Sequence, residues 1–195
     1  MTSAELSPIS GRINQLLHPE DDVNIGAFEA LAAKDAMYDH AVGNVPFGEG
    51  RSGVAGLDPA YANEKNVGNY FVLRTIDKVK PGGLIVLVVP NGMTDGAKYK
   101  KLRDKVSRKA EFLGAHRMPS GTFSESGTDT VVDVWVLRKH PEAFLEMIPD
   151  TDDSTRSNRQ TSFGIPSSKE NGLQPKGSDL FTATWNVPAS AIPWW

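Results

Sequence analysis

The sequence predicts an α/β protein with a mostly parallel sheet, an antiparallel final strand and an irregular C-terminal tail. Two apolar segments carry this prediction. LIVLVVP, residues 84–90, is a continuous β-branched run of strand length that is typical of a strand covered on both faces, and TVVDVWVLRK, residues 130–139, is a second strand. Apolar residues at helical spacing precede the first strand at 69–79 and follow it at 98–109. Strands that alternate with helices favour a parallel sheet.

The first forty residues contain weaker signals. SGRINQLL, residues 10–17, predicts a short helix that begins with a serine cap and ends before Pro19. DVNIGAF, residues 22–28, is typical of a weak strand, and residues 29–37 predict a brief helix or turn. YDHAV, residues 38–42, predicts a short strand that leads directly into GNVPFG.

Turn residues separate the later elements. Residues 48–66 contain several glycines and no apolar period, which predicts a long loop, and Pro81 ends the helix at 69–79. The basic helix has a buried stripe that consists of Leu102, Val106, Ala110 and Leu113. A short strand is predicted at 114–118. We expect one domain over residues 1–149 and a Pro/Gly/Ser-rich tail, extended or docked on a partner, over residues 150–195.

Composition excludes several classes of protein. The 195 residues contain no cysteine, which excludes disulfides and thiolate metal sites, and the four histidines lack metal-ligand spacing. The longest apolar run is too short to span a bilayer, so we expect a cytoplasmic protein without a membrane partner. The net charge is −3, but residues 98–109 carry seven Lys or Arg against one Asp. This segment is either a solvated face or, through Lys101 and Arg108, a phosphate-binding surface.

Asn44-Val45-Pro46-Phe47 follows the strand predicted at 38–42, at the end of a sheet where α/β proteins bind ligands. Val45 precedes a proline, which favours an extended backbone and fixes the direction of the Val45 carbonyl. An Asn oxygen beside that carbonyl offers two hydrogen-bond acceptors, and Phe47 offers a flat apolar ring. The set suits an exocyclic amine on an extruded nucleobase. The alternative is an asparagine that bonds its own turn backbone.

The motif resembles the Asn-Pro-Pro-Tyr/Phe signature of the S-adenosylmethionine-dependent adenine-N6 DNA methyltransferases. The blocks GNVPFG, NYFVLRTIDKVKPGG, RKAEFLGAHRMPSGTF and GTDTVVDVWVLRK are similar, in this order, to the methylase segment of large methylase-helicase fusions in phages and mobile elements. Some of those fusions serve in antirestriction. The resemblance covers roughly residues 11–140 and implies an incomplete Rossmann-like methyltransferase sheet with DNA as partner.

The resemblance assigns roles to single residues. Asn44 and the Val45 carbonyl would accept from the adenine amine, Pro46 would fix the backbone, and Phe47 would stack on the base. Val45 replaces the first proline of the signature, but the group used there is a carbonyl. Phe123 in PSGTF would be a second aromatic against the base, although it is also a candidate core residue.

The cofactor elements of the family match less well. The Gly-rich loop that holds S-adenosylmethionine would lie before residue 11 and is absent from this sequence, and the Asp-Phe pair of the family corresponds to Ala27-Phe28. Phe28 would pack on the cofactor or in the core. We therefore expect a target-base half that needs a homo-oligomer or a cofactor-binding partner chain, also because its central strand would form an open edge. The alternative is a catalytically inactive remnant that binds DNA or acts in antirestriction.

Overall fold

The computed structural model describes residues 1–31, 34–48, 50–51, 53–124 and 130–141. The chain divides into two compact units. Residues 1–34 and 48–70 form the first, which we call the amino-terminal unit. Residues 35–47 and those from 71 onward form the second, the sheet unit. The boundary predicted at residue 150, and the tail after it, lie outside the described residues.

The amino-terminal unit begins with a strand-helix-strand segment: β1 (Thr2–Glu5), α1 (Pro8–Leu17) and β2 (Asp22–Ile25). The two strands pair in parallel, as strands joined by a crossover helix usually do. Gly11 lets α1 approach β2 closely, because a Cβ there would meet Ile25 Cγ1 at 2.7 Å. The predicted helix and weak strand are present, but β1 carries no sequence signal that we recognised.

The start of α1 differs from the prediction. The N-cap is Ser7, whose Oγ accepts a hydrogen bond from the Ser10 amide, and Pro8 occupies the first helical position. Proline is favourable there because its missing N–H would have no intrahelical partner. The predicted cap at Ser10 is therefore wrong, although the helix ends at Leu17 as expected.

The described residues of the sheet unit form a four-stranded sheet in the order β3-β4-β6-β5. They are β3 (Ala41–Asn44), β4 (Leu84–Pro90), β5 (Ala110–Arg117) and β6 (Val132–Lys139). β3 pairs in parallel with β4, while β6 is antiparallel to both β4 and β5. Three strands therefore run in one direction and the final strand in the other, which confirms the predicted fold class. β3 lies at one edge of this sheet.

Three helices accompany these strands: α2 (Val67–Lys78), which belongs to the sheet unit from Phe71 onward, α3 (Asn91–Asp95) and α4 (Lys100–Lys109). Val72, Leu73 and Ile76 on α2 are buried, as are Ile85, Leu87 and Val89 on β4. Val86 and Val88, on the other face of β4, are only half-buried, so this strand is covered less evenly than its continuous apolar sequence predicts. The longest described helix has 12 residues, and none of the described helices has the length and hydropathy to cross a bilayer.

The junction between α4 and β5 corrects a predicted boundary. The helix ends at Lys109, and Ala110 already has an extended backbone and pairs with Lys139 of β6. Ala110 and Leu113, which we assigned to the helical stripe, therefore lie in β5, and the strand predicted at 114–118 begins four residues earlier. Pairing with β6 overrides the helical spacing, because a residue at the end of an apolar stripe fits either conformation.

Candidate functional site: the Asn44–Phe47 motif

The last residue of β3 is Asn44, and the rest of the motif continues past the end of the strand. The side chains of Asn44 and Phe47 are exposed, the latter with 44% of its surface accessible. Val45 between them is 2% exposed. The alternation of exposed and buried side chains along β3 continues into the motif. The buried Val45 side chain therefore anchors the motif, while the side chains of Asn44 and Phe47 face solvent.

The backbone of the motif is held by β4. The Val45 amide donates to the Val88 carbonyl at 2.9 Å, one step beyond the last register pair, Asn44 with Val88. This hydrogen bond and the buried Val45 side chain fix the peptide on both sides of the Val45 α-carbon. The direction of the Val45 carbonyl is thus set before any ligand arrives, as the proline at position 46 also favours.

Two acceptors of the motif have no partner within the part of the chain that the structure describes. These are the side-chain oxygen of Asn44 and the carbonyl of Val45. In particular, Asn44 makes no hydrogen bond to its own turn backbone in these residues, which would be the signature of a purely local role. An exposed amide side chain, a carbonyl without a described partner and a half-exposed ring thus lie within four consecutive residues.

The loops that follow β4 and β5 lie at the same end of the sheet as the motif, because β3, β4 and β5 run in one direction. Arg117 at the end of β5 makes a fork to Asp133, with Nε to Oδ1 at 2.8 Å and Nη2 to Oδ2 at 3.0 Å. Its Nη2 also reaches Asp95 of α3 at 2.9 Å. These hydrogen bonds raise the pKa of Arg117. The fork joins β5, β6 and α3 into a rigid support at the carboxyl ends of the strands.

Phe123 lies in the turn at residues 121–124, in the segment that follows β5, and its side chain is half-buried. Phe123 thus lies at the same end of the sheet as the motif, beyond the carboxyl ends of the strands. Two strands separate β5 from β3, and at about 4.8 Å a step the ends of these strands are roughly 14 Å apart. The role of Phe123 against the base stays a prediction.

The basic helix divides its cations between internal and external roles. Arg103 donates to the carbonyls of Met93 and Gly96 at 3.2 and 2.8 Å, and Lys109 pairs with Asp77 at 2.6 Å. Lys101 and Arg108 have exposed side chains and are seven residues apart, two turns along one face of α4. The internal contacts fix the helix, while the exposed pair is accessible to a polyanion.

Phe28 belongs to the amino-terminal unit, where it makes an edge-to-face contact with Tyr70 at 5.9 Å between centroids. Its neighbour Ala27 has no side-chain acceptor, and Glu29, on the other side of Phe28, is buried against Arg51 at 3.0 Å. The carboxylate closest in sequence to the missing Asp is therefore committed to an internal ion pair. The cofactor-binding role of Phe28 stays a prediction.

A buried polar cluster surrounds Arg51 and was not predicted from the sequence. The Arg51 guanidinium stacks on the Tyr70 ring with Cζ 3.5 Å from the centroid, and its Nη1 donates to the carbonyls of Tyr61 and Glu64 at 2.7 and 2.9 Å. The Tyr70 hydroxyl donates to Asp58 at 2.9 Å. The only sequence signal is a single arginine in the glycine-rich loop that follows the motif. The cluster holds this loop together.

Comparison with known proteins gives the family. The family model described as N-6 DNA Methylase matches residues 9–188. The chain belongs to the N-6 DNA methylase family. It is 54% identical over 157 residues to the Defense against restriction protein B of Escherichia phage P1, a match that covers 80% of this chain. The chain spans only 7% of the length of that relative.

Solved structures of this fold include the M protein of the type I restriction enzyme EcoKI. It has a TM-score of 0.58 at 24% identity, and the match covers 72% of this chain and 31% of the EcoKI protein. A protein from Listeria monocytogenes assigned to the class I S-adenosylmethionine-dependent methyltransferases has a TM-score of 0.61 at 14% identity, covering 78% of this chain and 47% of that protein. At these identities the likeness concerns the fold, and it agrees with a Rossmann-like sheet for this N-6 DNA methylase family member.

Proposed function

We propose that this chain is the target-base half of an adenine-N6 DNA methyltransferase. Asn44 Oδ1 and the Val45 carbonyl accept hydrogen bonds from the two N–H groups of the adenine amine. Pro46 restrains the peptide that carries the Val45 carbonyl, and Phe47 stacks on the adenine ring. The observation that carries the proposal is the pair of acceptors without described partners beside an exposed aromatic ring. Among the DNA bases, adenine is the purine that carries its exocyclic amine at C6.

The chemistry of the site follows from the two acceptors. An amine whose two protons are both held cannot rotate, so its nitrogen lone pair is directed to one face of the base. With a sulfonium donor bound, the nitrogen would attack its methyl group while the carbon–sulfur bond breaks, the donor would leave as a neutral thioether, and the extra proton would pass to solvent. Positive charge would develop on the nitrogen during this step, and both acceptors carry the negative end of a dipole towards it. Because the Val45 peptide is fixed by Val88 and by its buried side chain, it needs no reorganisation during the reaction.

The target base has to leave its stack before it reaches the motif, because the adenine amine of a duplex is engaged in pairing. A surface that holds the phosphates of the strand would favour this state. We propose Lys101 and Arg108 for that contact, since both are exposed on one face of α4. Such contacts are independent of sequence and weaken as the salt concentration rises.

We propose S-adenosylmethionine as the methyl donor, held with the help of a partner: a second copy of the chain or a cofactor-binding chain. The support is chemical. Ala27 offers no carboxylate beside Phe28, and Glu29 is engaged by Arg51, so neither neighbour of Phe28 supplies a free carboxylate to the cofactor. Phe28 would contribute one apolar ring. The activity of a complete methyltransferase therefore belongs to the assembly in this proposal.

Single-stranded oligonucleotides test the base site without the cost of flipping. One thymine strand would carry a single adenine, and a second would carry purine, which lacks the 6-amino group, at the same place. Two net hydrogen bonds of about 1 kcal/mol each predict that the adenine strand binds roughly thirtyfold more tightly. Fluorescence anisotropy with labelled strands measures this ratio.

Variants of Asn44 supply the controls. Asn44→Ala removes one acceptor, and we expect the adenine preference to fall to about fivefold. Asn44→Asp keeps an acceptor at the same place and should retain more of the preference than Asn44→Ala does. Equal affinity of the unmodified chain for both strands would contradict the assigned role of the motif.

A second candidate is a catalytically inactive remnant that binds DNA or acts as an antirestriction partner, and the alanine at position 27 favours it. Isothermal titration separates the two candidates. Binding of S-adenosylmethionine to the chain with a partner present, together with methyl transfer to DNA that Asn44→Ala abolishes, supports the enzyme. DNA binding without cofactor binding under any of these conditions supports the remnant.

A further inference from the structure

Within the residues that the structure describes, the Val45 carbonyl is unpaired for a reason that lies on the neighbouring strand. In a parallel ladder a residue that donates its N–H to residue j of the next strand places its carbonyl opposite the N–H of residue j+2. Val45 donates to the Val88 carbonyl, so the expected donor for the Val45 carbonyl is residue 90. Residue 90 is proline, which has no N–H.

The pairing of β4 with β6 confirms that the nitrogen of residue 90 faces β3. In this antiparallel pair Pro90 is opposite Val132, and the adjacent residue Asn91 donates to the Val131 carbonyl at 3.0 Å. Successive residues of a strand direct their N–H groups to opposite sides. Asn91 directs its N–H to β6, and residue 90 is therefore the one directed to β3. The pairing of β4 with β3 and its pairing with β6 thus give the same direction for the nitrogen of residue 90.

We propose that Pro90 is a positioning residue of the base site: by withholding a backbone donor, it keeps the Val45 carbonyl available to a substrate amine. This inference rests on the proposed function of the motif. Any other residue at position 90 would bring an N–H towards that carbonyl and extend the ladder by one step. The substrate amine would then have to displace an intramolecular hydrogen bond, or share the acceptor with it.

Pro90 also has an ordinary structural place, which the test has to separate from this role. It is the last residue of β4 and the N-cap residue of α3, with φ −57° and ψ 137°, values that other residues adopt readily. A substitution there is thus expected to keep the turn. The decisive property is the N–H, so the comparison has to vary the N–H and hold the side chain constant.

The experiment compares two proteins with the same methyl side chain at position 90. Pro90→Ala introduces an N–H, whereas the corresponding α-hydroxy acid, incorporated as an ester, places an oxygen there and has no donor. Pro81→Ala, in the exposed turn before β4, controls for the loss of a proline as such. The readouts are hydrogen exchange of the new amide by NMR and the ratio of affinities for the adenine and purine strands.

We expect the amide of residue 90 in the Pro90→Ala protein to be protected from exchange by at least tenfold. The adenine preference should fall about threefold in that protein and remain unchanged in the ester and Pro81→Ala proteins. Free exchange of the new amide would overturn the inference, and so would an equal loss of preference in the ester protein. If the unmodified chain shows no adenine preference, the proposed function fails, while the exchange measurement still decides whether Pro90 keeps the carbonyl unpaired.

Discussion

The two units of this protein are stabilised in different ways. The sheet unit has an apolar core, in which Trp135, Leu137 and Ile85 are completely buried. The amino-terminal unit places an ion pair between Arg51 and Glu29 in its interior, with both side chains less than 5% exposed. Apolar burial is non-directional and follows periodic sequence patterns, whereas a buried ion pair requires particular partners. The first kind of stability is visible in a sequence and the second is not.

The buried pair of the amino-terminal unit is sensitive in a way that the apolar core is not. Two carbonyls and the Tyr70 ring surround the Arg51 guanidinium, but its Nη2 is buried without a partner among the described residues. Loss of the one carboxylate would leave a desolvated cation. Breaking such a pair destabilises strongly, whereas replacing both partners by apolar residues of similar size is often tolerated.

The largest effect is expected in the sheet unit. Trp135 is fully buried, packs at right angles on Phe112 with centroids 5.8 Å apart, and donates from Nε1 to Thr94 Oγ1 at 2.7 Å. Trp135→Ala should lower the free energy of unfolding by about 4 kcal/mol through the cavity it leaves. Urea denaturation followed by circular dichroism measures this. Trp135→Phe keeps the ring and should lose less than half as much.

Glu29→Gln tests the other side of the comparison, with an expected loss of about 3 kcal/mol. The loss should appear locally, as faster hydrogen exchange of amides in residues 53–70, before the sheet unit responds. The double variant Glu29→Leu with Arg51→Met should recover most of that protection. Normal exchange in Glu29→Gln would show that the ion pair does not hold the amino-terminal unit.

A smaller effect should appear at alkaline pH. Burial, followed by the hydrogen bond to Asp58, raises the pKa of Tyr70 above its ordinary value of 10. The stabilisation from its neutral hydroxyl is complete below pH 10. This stabilisation is lost as the pH rises further, because Tyr70 then ionises in the unfolded chain while it stays protonated in the folded protein. In a titration of tyrosinate absorbance, Tyr70→Phe should remove the latest transition, and a titration curve identical to that of the unmodified protein would contradict this assignment.

The smallest effect is expected for an exposed pair of the sheet unit. Lys80 and Asp39 approach to 2.6 Å on the surface, and this contact lowers the pKa of Asp39. Exposed pairs contribute little to stability, because solvent and salt screen them. Asp39→Asn should therefore leave the thermal midpoint unchanged within error. A clear shift would mean that charge stabilises the sheet unit as well, and the contrast between the two units would be lost.

The sequence predicts the elements whose signals are strong and local. LIVLVVP became β4 at the predicted residues, and helix α2 lies within two residues of its predicted bounds. The motif at 44–47 was predicted as a site for an extruded base, and this stays a prediction, although Asn44 and Phe47 are exposed as such a site requires.

Contacts between distant residues were not predictable in the same way. Ala110 joined β5 because of Lys139, 29 positions later. Arg51 pairs with Glu29, which is 22 residues away in the sequence. Helix and strand periodicities give no signal for a pair at that distance. The parallel step from Val45 to residue 90 also became visible only when the register was known.

The buried side chain of Val45 has a consequence for how the signature is recognised in a sequence. In the proposed chemistry the residue contributes its main-chain oxygen, while its side chain only fills space in the interior. In the proposed chemistry another aliphatic residue at this position would keep both the oxygen and the N–H that donates to Val88, whereas proline would keep the oxygen and lose that donor. A pattern search that insists on proline there would overlook this chain, although position 45 keeps the carbonyl that the proposed chemistry uses.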